Sequence, residues 1–364
     1  MKEKKLLIFM PSIEDGGAEK NLFIITNYLV NKIRNVELIT ISKKFKNRFS
    51  KKLKIITTKS NFWDNISRRK KFFIGLFFLT LRILKDRNLL VFCFQANIYC
   101  TLLCKLLGVK VIVRSNSAPD GWSKNIIKFF CYKYILSLAD KVIVNSEDFK
   151  KKFKIKFNIN AIRIYNPLNK NEIIKKSKNK STINFSKKKL NLINIGRLVD
   201  QKDQITILKA LNLIKEKLNF KLIIVGNGIQ KNKLLDFIKK NKLNGKIKII
   251  SYKKNPFNLI KSSDVFILSS LYEGLPNVLL EAQVLKTYII SSNCPTGPRE
   301  ILLNGKAGSL FKVGDFNGLS KLIIDYSKKK EKYNRKIQIG FNHLHRFDYE
   351  INLKSYLNVV NSLI

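Results

Sequence analysis

Leu190-Asn191-Leu192-Ile193-Asn194-Ile195-Gly196-Arg197-Leu198-Val199-Asp200-Gln201-Lys202-Asp203 is the stretch on which the reading of this chain turns. Residues 190–195 form a short apolar run ending at a glycine, as a buried strand does where it enters a loop, and helical spacing follows over 203–218. Just before it, residues 168–189 (LNKNEIIKKSKNKSTINFSKKK) are polar, Lys-rich and without period, and read as an interdomain linker. The same rhythm runs on both sides. Upstream, strands are expected at Leu6–Pro11, Val36–Ile41, Leu89–Phe94, Lys110–Arg114 and Lys141–Asn145, with helical patterns near 17–31, 70–86, 97–107, 122–138 and 147–155. Downstream, strands are expected at Lys221–Val225, Lys246–Ser251, Val265–Ser269 and Tyr288–Ser292, with helical patterns near 229–242, 256–262, 276–285 and 297–303. Strands apolar on both faces and separated by helices imply parallel sheets covered on both sides. The chain therefore reads as α/β, with two doubly wound parallel-sheet domains, 1–167 and 190–345, and a last helical segment, 346–364, expected to pack back on the first. Such tandem domains enclose an interdomain cleft, and their ligands bind at the carboxyl ends of the strands.

Composition limits the function classes. The 364 residues are 45% hydrophobic with 16 Gly and 7 Pro, which excludes disordered and collagen-like chains. No run reaches the ~18 apolar residues of a membrane-spanning helix. The N-terminus resembles a signal peptide only superficially, because Pro11, Glu14 and Asp15 break a short apolar stretch that reads better as a first buried strand. Five Cys (93, 100, 104, 131 and 294) show no CxxC and read as reduced core cysteines of a cytosolic protein. The net charge is +46, carried mainly by Lys and spread over both halves. Nucleic-acid binders cluster their charge and favour Arg, so no nucleic-acid partner is expected, although the surplus favours anionic partners.

Three stretches stand where a ligand would bind. Gly16-Gly17 lies between the first strand and its helix, where it is either an anion-binding turn or an ordinary connection. Arg197 and Lys202 share one strand-end loop and are expected to be exposed there, able to clamp a diphosphate and neutralise charge as it leaves. Glu273-Gly274-Leu275-Pro276-Asn277-Val278-Leu279-Leu280-Glu281 places a proline suited to a first helical turn, with the amides of Asn277 and Val278 directed out of the N-terminus. Its two carboxylates either grip hydroxyls of one ligand or belong to a solvated surface helix; periodicity does not choose.

Together, the E-x7-E pair in S-x-x-E-G-x-P, G-R-L-x-x-x-K at 196–202 and G-G-A-E at 16–19 resemble the large retaining glycosyltransferase family with two Rossmann-like domains, family 4 with the GT-B fold. The resemblance spans nearly the whole chain. It implies that Arg197 and Lys202 bind the donor's diphosphate, that Glu273 contacts the transferred sugar, and that Glu281 holds the ribose. It implies that backbone from Gly274 through Leu275, Asn277 and Val278 serves the sugar and phosphates, and that Gly16 and Gly17 close over the donor. Gly226 and Gly228 match a loop near the nucleotide, and Tyr252 follows the strand where the base docks. The family's usual His after the fourth N-domain strand is missing, so Arg114, Ser115 or Asn116 stand in its place or the role is vacant. The two His, 343 and 345, read as surface or core rather than a metal site. The implied reaction is retaining transfer of a hexosyl group from a nucleotide-diphosphate donor, UDP-linked, without a metal or other cofactor. The implied acceptor is a lipid-linked or surface-polysaccharide precursor, as in lipopolysaccharide or capsule biosynthesis, at the inner face of the bacterial cytoplasmic membrane.

Residues 68–85, RRKKFFIGLFFLTLRILK, read either as a helix packed on its sheet or as an interfacial helix with its basic end on an anionic membrane surface. Two other functions fit parts of the sequence. One is a nucleotide-sugar epimerase of similar two-domain fold, and the other is a basic polyanion-binding protein.

Overall fold

The computed structural model describes residues 5–14, 16–116, 125–179, 185 and 188–364. The chain divides into two compact units, residues 1–167 with 349–364, and residues 168–348.

In the first unit, strands β1 (Lys5–Phe9), β2 (Val36–Ile39), β3 (Lys54–Ile56), β4 (Leu89–Cys93), β5 (Lys110–Arg114), β6 (Lys141–Val144) and β7 (Ile162–Arg163) form a wholly parallel sheet. Its order is β3-β2-β1-β4-β5-β6-β7. Helices α1 (Gly17–Val30), α2 (Arg68–Lys85), α3 (Asn97–Leu106), α4 (Ile126–Ser137) and α5 (Glu147–Phe157) connect the strands. β1, β2 and β4 are buried along most of their length, which explains their unbroken apolar runs. Two cores result. Leu22, Ile25 and Leu29 of α1 cover one face, and Leu79 and Ile83 of α2, Cys100 and Cys104 of α3, and Phe149 and Phe153 of α5 cover the other.

The second unit repeats the plan. It begins with α6 (Lys170–Ser177) and continues through β8 (Leu190–Ile195), α7 (Gln204–Ile214), β9 (Phe220–Val225), α8 (Lys231–Lys240), β10 (Ile247–Ile250) and α9 (Phe257–Lys261). It is completed by β11 (Val265–Leu268), α10 (Asn277–Val284), β12 (Tyr288–Ser292), α11 (Pro298–Ile301), β13 (Ser309–Phe311), α12 (Phe316–Lys328) and α13 (Lys330–Asn342). The parallel sheet has the order β10-β9-β8-β11-β12-β13.

The expected linker and the short edge strands depart from the sequence reading. Residues 168–189 are not simply a linker. Asn169 caps α6 by accepting from the Glu172 amide at 3.0 Å, and α6 packs on α9 and α10 within the second unit. With eight residues and one buried Ile, Ile173, this helix is too short to show a period. The short strands β3, β7 and β13, of two or three residues each, escape pattern reading for the same reason. At the other end, α14 (Tyr349–Asn361) belongs to the first unit, where Leu353, Tyr356 and Val360 are fully buried in the α1-side core.

Tyr356 also meets Arg114, a guanidinium with no exposed surface at the end of β5. Arg114 Nε donates to the Tyr356 hydroxyl at 2.9 Å and Nη2 to Asn166 Oδ1 at 2.8 Å, while Nη1 has no hydrogen-bond partner among the described residues. Replacing Tyr356 by Phe removes the acceptor of a second buried N–H, so urea unfolding should show a loss of about 1–3 kcal/mol with the fold retained. Among the cysteines, Cys93, Cys100, Cys104 and Cys294 are buried as expected of core residues, but Cys131 is exposed on α4. Only one thiol should therefore react quickly with a thiol reagent on the native protein, and Cys131→Ser should abolish that reaction.

Candidate active site

In the second sheet the strand order reverses between β8 and β11, which are hydrogen-bonded neighbours although far apart in sequence, β8 starting at Leu190 and β11 at Val265. At such a switch point the chain leaves the two strands in opposite directions, and their carboxyl-end loops stand beside a crevice. The loop after β8 carries Gly196, Arg197 and Lys202, and the loop after β11 carries Glu273.

The two loops are bonded to each other. Lys202 Nζ donates to Glu273 Oε1 in an ion pair, and the Ser270 hydroxyl donates to the same oxygen at 2.6 Å. Ser269 Oγ donates to the Lys202 carbonyl at 2.9 Å, and the Leu271 amide to the Gln201 carbonyl at 2.8 Å. Gln201 Nε2 donates to the Tyr272 carbonyl at 2.9 Å. The Glu273 side chain is 8% exposed and that of Lys202 17%. Lys202 is therefore not the open cleft residue that its position in a charged loop suggested. Its alkyl stem packs against Gly196, where an added Cβ would lie 3.6 Å from Cδ. Arg197 does remain exposed, and Gln204 Nε2 holds its carbonyl at 3.0 Å. A buried carboxylate held by a cation and a hydroxyl has its orientation fixed before any ligand arrives.

A third loop braces the second. After β12, Thr296 adopts φ 62° and donates its hydroxyl to the Glu273 carbonyl. Gly297, at φ 81°, lies so close to Gly274 that an added Cβ would be 2.1 Å from the Gly274 carbonyl oxygen. Neither residue was singled out in the sequence, because their role is a close approach between segments distant along the chain. Ser269 carries no pattern of its own, whereas Ser270 is the serine of the S-x-x-E-G-x-P stretch, which gave it no role of its own. Cys294 lies in this loop too. Burial, reinforced by the Glu273 carboxylate, pushes its thiol up to about 12, so it is a neutral thiol and no nucleophile at neutral pH.

The helix that follows Glu273 starts one residue later than expected. Pro276 is the N-cap in extended conformation (φ −72°, ψ 106°), Asn277 is the first helical residue, and no side chain caps this end. The aligned amides of Asn277 and Val278 thus begin α10 just beyond Gly274 and Leu275. Glu281 is buried within α10, at 5% exposure, which removes the reading of a solvated surface glutamate.

Gly226 and Gly228 have a packing reason to be glycine. A Cβ on Gly226 would lie 1.9 Å from the Gly196 carbonyl oxygen, and one on Gly228 would lie 2.2 Å from the Leu198 carbonyl oxygen. This contact seats the loop after β9 on the Arg197 loop, where the Leu198 amide donates to the Asn227 carbonyl at 2.8 Å. Tyr252, half-exposed after β10, donates its amide to Asn227 Oδ1 at 3.4 Å and so stands by the same loop.

The first-unit candidates divide. Gly16 is the N-cap of α1 and Gly17 its first residue, in a loop at the carboxyl end of β1, the strand beside the first sheet's own switch point. Arg114 and Ser115 are buried, and Asn116 Nδ2 donates to the Phe94 carbonyl at 3.2 Å. With its guanidinium enclosed by Tyr356, Asn166 and Phe94, Arg114 holds α14 on the sheet and is unsuited to touching a sugar. His343 and His345 are exposed, each with Nδ1 near a backbone carbonyl. Among the described residues no His, Cys, Asp and Glu gather into a metal-holding group.

Two outcomes test this geometry. Lys202→Met should leave the Glu273 carboxylate buried without its cation and lower stability by about 3 kcal/mol, as read by chemical unfolding. Arg197→Met, at an exposed position, should change stability by less than about 0.5 kcal/mol.

A profile for glycosyl transferases of group 1 matches residues 175–343, nearly all of the second unit. An uncharacterized glycosyltransferase of Methanocaldococcus jannaschii is 39% identical over 205 residues, covering 52% of this chain and 49% of that protein, so the match spans about half of its length. The N-acetylgalactosamine-N,N'-diacetylbacillosaminyl-diphospho-undecaprenol 4-alpha-N-acetylgalactosaminyltransferase of Campylobacter jejuni is 26% identical over 354 residues, covering 91% of this chain and 93% of that enzyme. Among solved structures, Anabaena HepE in complex with UDP and glucose superposes with a TM-score of 0.80 at 15% identity, covering 99% of this chain and 100% of HepE. The chain thus has the two parallel Rossmann-like sheets of the GT-B fold, and its second unit carries the match to the group 1 glycosyl transferases.

Proposed function

We propose that the protein is a retaining hexosyltransferase that takes its sugar from a nucleotide-diphosphate donor, UDP-linked, and passes it to a lipid-linked or surface-polysaccharide precursor. The observation that carries this reading is the ion pair of Lys202 and Glu273, which joins the loops after β8 and β11 where the strand order reverses. Arg197 and Lys202 supply positive charge for the diphosphate, and the start of α10 adds aligned backbone amides. Glu273 is positioned to accept hydrogen bonds from sugar hydroxyls, and Glu281 from the ribose. The loop at Gly226 and Gly228, with Tyr252, takes the nucleoside role that the resemblance implies, and Gly16 and Gly17, at the start of α1, take the donor-phosphate role. The class of donor is supported by HepE, a protein of the same fold solved with UDP and glucose. The class of acceptor is supported by the Campylobacter enzyme, whose name specifies a diphospho-undecaprenol substrate.

In this scheme the donor's glycosidic C–O bond breaks as the diphosphate departs, and the acceptor hydroxyl attacks the same face of the sugar. The leaving phosphate oxygen takes the acceptor's proton. The protein contributes position and electrostatics, and the fixed cations make a divalent metal unnecessary. The work takes place in the cytoplasm, at the inner face of the bacterial cytoplasmic membrane.

The test is a transfer assay with a panel of nucleotide sugars and an undecaprenyl-diphosphate-linked acceptor. One donor should give a product of retained anomeric configuration by NMR, with a rate unchanged by EDTA. Glu273→Gln should lower kcat by about 100-fold or more. An inverted product, loss of activity in EDTA, or isomerisation of the donor without acceptor would each contradict the proposal, the last in favour of an epimerase.

A further inference from the structure

Helices α2, α3 and α4 lie side by side on one face of the first sheet, sharing the core beneath them. On α2, Gly75, Leu79 and Ile83 are buried; Gly75 sits so close to the loop after β1 that an added Cβ would be 2.6 Å from Pro11 Cβ. Two residues away from each on the helix, and so on the opposite face, Phe73, Phe77 and Leu81 point outward. Leu106 on α3 and Phe130 and Tyr134 on α4 continue the apolar surface, and these six side chains are between 49% and 75% exposed. A packed Rossmann helix needs only its inner stripe apolar; here the outer stripes are apolar too, on three neighbours. Contiguous exposed apolar surface of this kind marks a docking site.

The charges around it identify the occupant. None of the three helices contains an Asp or Glu. Arg68, Arg69 and Lys70 are exposed at one end of α2 and Lys85 at the other, and Lys128 is exposed on α4. Aromatic and aliphatic side chains bordered by cations match an anionic bilayer, in which acyl chains receive the rings and headgroups receive the ammonium and guanidinium groups. A second copy of the same face would bring like charges together without an acid to offset them. A nucleic acid would leave the apolar stripes facing phosphate. No helix among the described residues is long and apolar enough to cross a membrane, so the contact is with the surface.

We infer that the outer face of α2, α3 and α4 is a membrane-docking surface that seats the first unit on anionic lipid. α2 would transmit that position to the strand ends, because Lys71 in its first turn is buried and donates Nζ to Ser42 Oγ at 3.3 Å and to the Asp64 carbonyl at 2.7 Å. The purpose of such docking rests on the lipid-linked-acceptor reading, whereas the binding itself is measured apart from it.

The experiment is flotation of the full chain with vesicles of phosphatidylcholine alone and of phosphatidylcholine with phosphatidylglycerol. Binding should require the anionic lipid and weaken with salt. Phe73→Ser/Phe77→Ser/Leu81→Ser should reduce it at least about tenfold. The same variant should keep the thermal midpoint and the affinity for a nucleotide sugar. Leu213→Ser, an exposed leucine on α7 of the other unit, should bind vesicles as the parent does. Parent protein that ignores anionic vesicles, or a triple variant that floats unchanged, would overturn the inference. So would a parent that sediments as a dimer and a triple variant that sediments as a monomer, which would give the surface to a second copy. Vesicle binding by a protein that binds no nucleotide sugar would uphold docking while removing the transferase reading.

Discussion

The second unit depends on a constraint of parallel sheets. Because every strand runs the same way, all carboxyl-end loops emerge at one edge, and where the order reverses two of them must stand side by side. Here those loops follow β8 and β11, and the chain has bound them together through Lys202, Glu273, Ser269, Ser270 and Gln201. A lysine in a basic loop would ordinarily be a mobile, hydrated charge. Drawn onto a buried carboxylate it becomes a fixed positive centre, and the carboxylate becomes a fixed acceptor. Glycines at 226, 228 and 297 let neighbouring loops press on the backbone of Gly196, Leu198 and Gly274 at distances that no side chain would permit.

The strand and helix alternation was legible because buried parallel strands are apolar on both faces and read as unbroken runs. β5, β8 and β12 end where their runs end. Elements of two or three residues at the sheet edges carry too few side chains to show a period, and α6 is hidden in a Lys-rich stretch because its inward face is so small. The spacing of Arg197, Lys202 and Glu273 pointed to two loops that the structure bonds together. Spacing does not encode which charges neutralise each other, so Lys202 looked exposed and Arg114 looked available. The burial of Arg114 depends on α14, which joins the first unit from 242 residues away in sequence and supplies Tyr356. No local signal could have shown that contact.

The same physics separates the units. In the second, polar groups concentrate at strand ends and are satisfied by one another, as a site built around an anionic ligand requires. In the first, the unusual chemistry is on the outside of α2, α3 and α4, where apolar side chains remain in water and acids are absent. The proposed transfer from a water-soluble donor to a membrane-borne acceptor would use both kinds of surface.

The most direct measurement of the central claim is hydrogen–deuterium exchange with and without a UDP-sugar. The account predicts slowed exchange in the loops after β8, β9 and β11 and in the first turn of α10. Protection confined to other segments, or no protection at saturating donor, would contradict it.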